Sequence, residues 1–348
     1  MTIQERFPSR DPTMRVLTEV GLDRIGIDQV GLGEMGLGET GMAETAFSET
    51  KYVEAGRAQR VLAQPMLALQ QSPVFGAALT RLGLSGQIVA LEDRGNVVGQ
   101  ALVMVRNLGP LGRLGLISRG PHWLIEDPRA RARALRALPP MGLRMIEAEQ
   151  PCPSLRLAGY RQVMTTAHVA TLDLTCPTGL EVGLHPAWRG SLMKARRAGL
   201  EITGAPFHPV HDLWLLEEER GMQLRKRYRG WPLSLPLAMA EANRQSLTLF
   251  TARKAGVTIA AMLFARHASM ATYLTGWTGA AGREACAHHL MLMDAASWLA
   301  SQGHASLDLG TVDTEAAPGL ARFKIGCGAK VRPLGGSWLR LPFCAIPL

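Results

Sequence analysis

Residues 247–332 alternate between short apolar runs and turn-forming breaks in a way that orders the elements by itself. Leu247 to Arg253 and Val257 to Arg266 are rich in Val, Ile, Thr and Phe, and Lys254-Ala255-Gly256 separates them as a hairpin turn does. A third run, Ala268 to Thr275, stops at Gly276. After Gly282-Arg283-Glu284 the apolar positions change period: Leu290, Met293, Ala296, Trp298 and Leu299 fall at helical spacing, and Gly303 supplies the stop. Ser306 to Leu309 then predicts a short strand, and Pro318 to Phe323 a second short helix.

The first half carries a similar alternation. Residues 56–71 predict a short amphipathic helix, and Ser72 before Pro73 predicts an N-cap with proline at the first helical position, opening a helix that runs through Leu82. Gln87 to Leu91 and Val97 to Arg106 flank Asp93-Arg94-Gly95-Asn96 as a hairpin. Leu114 to Ser118 gives a third strand, Arg129 to Leu138 a helix, and Arg144 to Glu149 a further strand. From Trp188 to Ala198 a helix carries Arg189, Lys194, Arg196 and Arg197, with Leu192 and Ala195 on its far side.

Ahead of all this, Val16 to Thr50 repeats every five residues, as in Gly-Leu-Asp-Arg-Ile and Gly-Leu-Gly-Glu-Met. Seven copies would complete fewer than two coils of a pentapeptide solenoid, too few to bury a core, and the recurrent glycine raises the entropy cost of ordering. Residues 1–54 are therefore expected to be a flexible, Gly/Glu-rich leader.

Charge sharpens the contrast. The chain of 348 residues has a net charge of +9, but residues 1–54 hold five basic and ten acidic side chains, which leaves 33 basic against 19 acidic in the remainder. A body this cationic attracts polyanions: RNA, a nucleotide-linked substrate or an anionic membrane face in peripheral contact. No apolar run approaches the ~18 residues of a membrane span, and Met1 to Arg10 lacks a signal pattern, so a cytoplasmic location is expected. The five cysteines have no metal-ligand spacing, and His288 and His289, being adjacent, point to different sides of a helix; neither a metal nor a redox cofactor is expected.

Three antiparallel strands, a helix, a parallel strand and a short helix are the core order of the GNAT acyltransferase fold. Within that order, Tyr273-Leu274-Thr275-Gly276-Trp277, Arg283, Gly303 to Gly310, and Gly319-Leu320-Ala321-Arg322-Phe323-Lys324 closely resemble the FemAB family of aminoacyl-tRNA-dependent ligases. Leu69 to Gly76, Arg119-Gly120-Pro121 and Pro186 to Gly199 resemble the same family's first domain and linking helix. The resemblance covers roughly residues 55–335. It implies two tandem GNAT-like domains with mixed α/β sheets, at 55–183 and 184–348, the second catalytic.

The resemblance also implies the chemistry. An acceptor amine attacks an activated acyl carbon, negative charge builds on the carbonyl oxygen, and a fixed ammonium there stabilises it. Lys324 is the expected catalytic cation and Tyr273 a hydrogen-bond donor or proton relay, against ordinary strand packing. Phe323, Arg322 and Arg283 are expected on the donor side, Phe323 either stacking on the terminal adenine of tRNA or filling the core. Arg119, Trp188, Arg189 and Lys194 are expected on the acceptor side, with loop anchoring as the alternative for Arg119 and a solvated basic face for the helix. The family's loop carries an acid three residues after the proline, where this chain has Leu124, and that departure bears on the acceptor's identity. The implied partners are aminoacyl-tRNA and an anionic small-molecule or peptide acceptor, such as a cell-envelope precursor. An N-acyltransferase fed by acyl-CoA or a carrier, and a non-catalytic anion-binding protein, remain as alternatives.

Overall fold

The computed structural model describes residues 66–108, 113–138, 142–228 and 230–341. The leader expected over 1–54 lies outside them, as does most of the helix expected over 56–71, whose described end is one 3-10 turn, Leu69–Gln71. Next come α1 (Pro73–Arg81), β1 (Ser85–Asp93), β2 (Asn96–Asn107), β3 (Arg113–Ile117), β4 (His122–Trp123), α2 (Pro128–Ala137), β5 (Leu143–Ala148), α3 (Pro153–Leu157), β6 (Arg161–Met164) and β7 (His168–Asp173). The second half contains α4 (Pro186–Arg197), β8 (Glu201–Pro206), α5 (Leu213–Lys226), α6 (Ser234–Ala242), β9 (Leu247–Lys254), β10 (Val257–His267) and β11 (Met270–Thr278). It ends with α7 (Ala280–Glu284), α8 (Ala287–Ser301), β12 (Ser306–Val312), α9 (Pro318–Gly326), β13 (Lys330–Pro333) and β14 (Gly336–Arg340).

Local chemistry accounts for the predicted turns and caps. Ser72 accepts the Phe75 amide at 3.2 Å and donates its hydroxyl to the Leu69 carbonyl at 2.7 Å, so one side chain stops the 3-10 turn and starts α1. Arg94-Gly95 and Ala255-Gly256 both have positive φ at both positions, the backbone that a two-residue hairpin turn needs. Gln71 is buried, receiving the Leu102 amide at 2.8 Å and donating to the Ser118 carbonyl at 2.6 Å, so this side chain ties three segments of the first half together.

The strands form two seven-stranded sheets. The first has the order β1-β2-β3-β5-β14-β6, with β4 added to β2; the second runs β13-β7-β12-β11-β10-β9-β8. Each is antiparallel except for one parallel pair, β3 with β5 and β11 with β12. The expected division at residue 183 falls between the two groups of helices, but two strands cross it: β7 pairs in the second sheet, and β14, from the tail, pairs between β5 and β6 in the first.

An apolar core joins the halves. Phe75, Leu79 and Leu102 from the first pack in one cluster with Leu235 and Met239 of α6 and with Leu249 and Leu263 of the second sheet, and α1 lies directly on α6. Burying such side chains is worth roughly 1.5–3 kcal/mol each before entropy is counted, which sets the two sheets in a fixed relation. A second core lies between the other face of the second sheet and α8, and Trp188 and Leu192 of α4 belong to it.

Candidate functional site

The site begins where two parallel strands part. β11 and β12 pair only from Met270 with Ser306 to Thr272 with Asp308. Beyond that point β11 bulges, its register against β10 slipping between Leu263 and Phe264, and β12 slips against β7 between Asp308 and Thr311. Lys324 of α9 reaches this parting: its Nζ donates to the Thr311 carbonyl at 2.8 Å and lies 3.6 Å from where a Cβ on Gly310 would stand. The side chain is only 6% exposed. Burial pushes its ammonium down to about 8, while the Asp308 carboxylate pulls the other way. Cys327, the C-cap of α9, donates its thiol to the Lys324 carbonyl at 3.0 Å, and burial raises that thiol to about 11, which makes it a packing group.

Tyr273 follows directly after Thr272, the last residue of β11 that pairs with β12. Its hydroxyl fills the space above Gly276, where a Cβ would meet it at 2.4 Å and the His288 ring at 3.4 Å. Gly276 thus admits the phenol, which explains why β11 runs through this glycine instead of stopping there as the pattern predicted. No hydrogen-bond partner for the hydroxyl occurs among the described residues. Burial, and then the Glu219 carboxylate, hold its proton more tightly than in a free phenol. Glu219 itself, on α5, accepts from Thr275 at 2.7 Å, Tyr228 at 2.8 Å and Gln223 at 3.0 Å, which fastens the bulged part of β11 to α5.

Successive residues of α9 face different ways. Phe323 and Arg322 turn from the Lys324 seat into a cleft of about 660 Å³ between α9 and α4, with Trp188, His289, His185 and Ser191 among its walls. Trp188 is the floor: it is buried, its indole donates to the Phe323 carbonyl at 3.0 Å, and its ring lies 4.7 Å from His289 and 5.9 Å from Phe323. Gly326 allows this approach, since a Cβ there would stand 2.8 Å from the Trp188 ring.

The other expected residues are placed elsewhere. Arg189 and Lys194 line a separate groove of about 570 Å³ with Arg197, Leu184 and Met193, formed by residues 184–197 alone. Neither residue lines the cleft that holds Trp188, the third acceptor-side expectation from the same helix. Arg283 donates to the Thr278 carbonyl at 2.6 Å and closes α7 onto the end of β11. Arg119 has its fork engaged by two carboxylates, Glu149 and, across the two sheets, Asp308 at 2.9 Å. That makes it an inter-sheet tie, closer to the anchoring alternative than to an open acceptor site, and Arg332 of β13 reaches the same Glu149. The pattern reading missed Glu149 and Arg332. For Asp308 a signal existed, an acid two residues before a glycine, and its Oδ1 does accept the Gly310 amide at 2.6 Å.

No protein-family model and no curated protein sequence matches this chain. Among solved structures, a protein named FemX superposes with a TM-score of 0.67 at 12% identity, over 84% of this chain and 96% of that one. The fold is that of two tandem GNAT-like domains. A conserved protein of unknown function from Bacteroides thetaiotaomicron follows at a TM-score of 0.55 and 12% identity, covering 83% of this chain and 97% of that one. A tandem GNAT protein from the clavulanic acid biosynthesis pathway gives 0.50 at 12% identity, over 84% and 95%. Each sheet contributes the single parallel pair of its GNAT-like domain, and β14 completes the first domain from the far end of the chain.

Proposed function

We propose that this protein is an acyltransferase of the Fem type, which moves an aminoacyl group from tRNA to an amine acceptor of the peptide or cell-envelope-precursor class. One observation carries the reading: a nearly buried ammonium, Lys324, is seated on a backbone carbonyl where β11 and β12 part, while Phe323 and Arg322 of the same helical turn face an aromatic-floored cleft.

In this reading the amine nitrogen attacks the ester carbon, the new C–N bond forms, and the C–O bond to the tRNA ribose breaks. The amine's proton ends on the departing ribose oxygen. Lys324 faces the oxygen on which charge builds, in a site dry enough for one cation to count heavily. Tyr273, whose phenol stays protonated, donates a hydrogen bond or relays a proton that another group gives up. Phe323 and Arg322 receive the terminal base and phosphate of the donor. Arg119, committed to two carboxylates, holds the acceptor-side loop and does not itself bind the acceptor.

The test is incubation of the purified protein with tRNA charged with a mixture of radiolabelled amino acids, together with a cell extract. Label should move into a ribonuclease-resistant product, and Lys324→Ala should abolish that transfer. Label moving only from acyl-CoA would establish the acyl-CoA alternative, and no transfer from either donor would leave anion binding.

A further inference from the structure

Lys324 is not seated by its own helix. The carbonyl it binds, that of Thr311, and the glycine beside it, Gly310, belong to the stretch where β12 slips against β7, and Asp308 shapes that stretch. Its Oδ1 receives the Gly310 amide, and Gly310 has φ +79°, a conformation that glycine takes freely. The remaining oxygen, Oδ2, receives the Arg119 guanidinium from the other domain. Asp308 is 3% exposed, and among the described residues its carboxylate receives hydrogen bonds from Arg119 and the Gly310 amide.

We propose that Asp308 is a positioning residue for Lys324, shaping the turn that presents the Thr311 carbonyl and supplying the counter-charge that keeps the ammonium protonated, while Arg119 holds its free oxygen from across the domain boundary. The proposal concerns the site assigned above and rests on that reading only for the reaction it serves. The charge relation between the two residues is independent of any substrate.

The groups around the pair are few enough to enumerate by element. On β12 there is Asp308 itself; from the first domain Arg119 and Glu149; from β13 Arg332; from β10 His267, which shares a hydrogen bond with Thr272 at 2.8 Å. Arg322 lies on α9 with Lys324 and Cys327 caps that helix, and His288 and His289 of α8 face the neighbouring Phe323 ring. Asp308 is the one member of this set whose charge acts on the Lys324 ammonium in the favourable sense. Arg119, by contrast, holds part of the Asp308 charge. Removing Arg119 and removing Asp308 both break the same bridge, yet only the loss of Asp308 should lower the lysine's midpoint.

The chain has only six lysines, so the full-length protein labelled with [6-¹³C]lysine gives a readable NMR titration, with Lys324→Arg assigning the resonance. Asp308→Asn should lower the Lys324 midpoint by a unit or so, on the order of tenfold in proton affinity. Arg119→Gln should leave it unchanged or raise it. The double variant Asp308→Asn, Arg119→Gln leaves no orphaned charge on either side of the bridge and should titrate like Asp308→Asn; it also serves if the single acid substitution does not fold. In the transfer assay the alkaline limb of the pH–rate profile should move down with the NMR midpoint. Midpoints shifted in the same direction in both single variants, or an unshifted midpoint in the double variant, would overturn the proposal. Failure of transfer with normal midpoint shifts would count against the proposed function and leave this inference standing.

Discussion

Replacing Lys324 by methionine separates the cost of the buried charge from its use. The ammonium has dropped from 10.5 in water to about 8 in the fold, and at roughly 1.4 kcal/mol per unit that is about 3 kcal/mol of strain on the charged form. Lys324→Met keeps the length and fills the space, removes that strain, and loses the hydrogen bond to the Thr311 carbonyl, worth roughly 1 kcal/mol. The variant should therefore be about 2 kcal/mol more stable than the parent at pH 7. The sign with pH follows from proton counting. Below about 8 the lysine is charged in both states and the whole gain is present; between about 8 and 10.5 the unfolded chain binds a proton that the fold does not, so the parent recovers stability; above 10.5 the gain is gone. Urea denaturation at pH 7, 9 and 11 reads this directly. Transfer should fall by roughly 10²–10³, the usual loss for one oxyanion donor. A variant less stable than the parent at pH 7, or an advantage that does not change with pH, refutes the desolvation argument.

Other outcomes follow from the same contacts. Arg119→Ala should cost roughly 3–5 kcal/mol in urea denaturation, because it leaves the Asp308 charge buried without its cation, while Asp308→Ala should cost less, since Glu149 still holds the Arg119 fork; the double variant should cost less than their sum. Gly276→Ala should cost roughly 1–3 kcal/mol by driving a methyl into the Tyr273 hydroxyl, and adding Tyr273→Phe should recover part of it; a full loss in both would show that the Ala261 carbonyl, 3.0 Å from the same methyl, is the harder wall. His267, buried and held neutral down to about 4, refuses a proton that the unfolded chain accepts at 6.5. Stability should fall by about 3 kcal/mol as the pH drops from 7 to 4, and His267→Gln should flatten that slope.

What could be read along the chain was local. The two hairpins, the Ser72 cap and the strand-helix-strand order of 247–312 are each determined by residues within a few positions of one another, and each stands where the periodicity puts it. The helix expected after Gly282-Arg283-Glu284 stands as α8, but α7 ahead of it was not expected, and Cys286 at positive φ separates the two although a cysteine carries no sign of it. β8, α5 and α6 carried no pattern strong enough to be predicted: β8 is almost wholly exposed, and α5 buries little besides Leu215 and Leu216. The placement of β14 in the first sheet depends on its pairing with Met145 and Ile146, nearly 200 residues earlier, and nothing in Gly336 to Arg340 names that partner.

The candidate site divides along the same line. On the sequence alone Phe323 and Arg322 are expected on the donor side and Trp188 on the acceptor side; the structure places all three on one cleft, because α4 and α9 pack together. Lys324 was readable as a residue but not as an environment. Its charge is favoured by Asp308, and Asp308 is bound to Arg119, 189 positions away and in the other domain. The sequence leaves Arg119 open between acceptor binding and anchoring because Glu149 and Asp308, its two carboxylate partners, lie on segments that the sequence does not show to be adjacent. A cation in such a chain is judged by what remains uncompensated after long-range pairing. By that measure Arg119 is occupied, and Lys324, buried with a single nearby counter-charge that is itself shared, retains the attraction for an anion that the proposed chemistry requires.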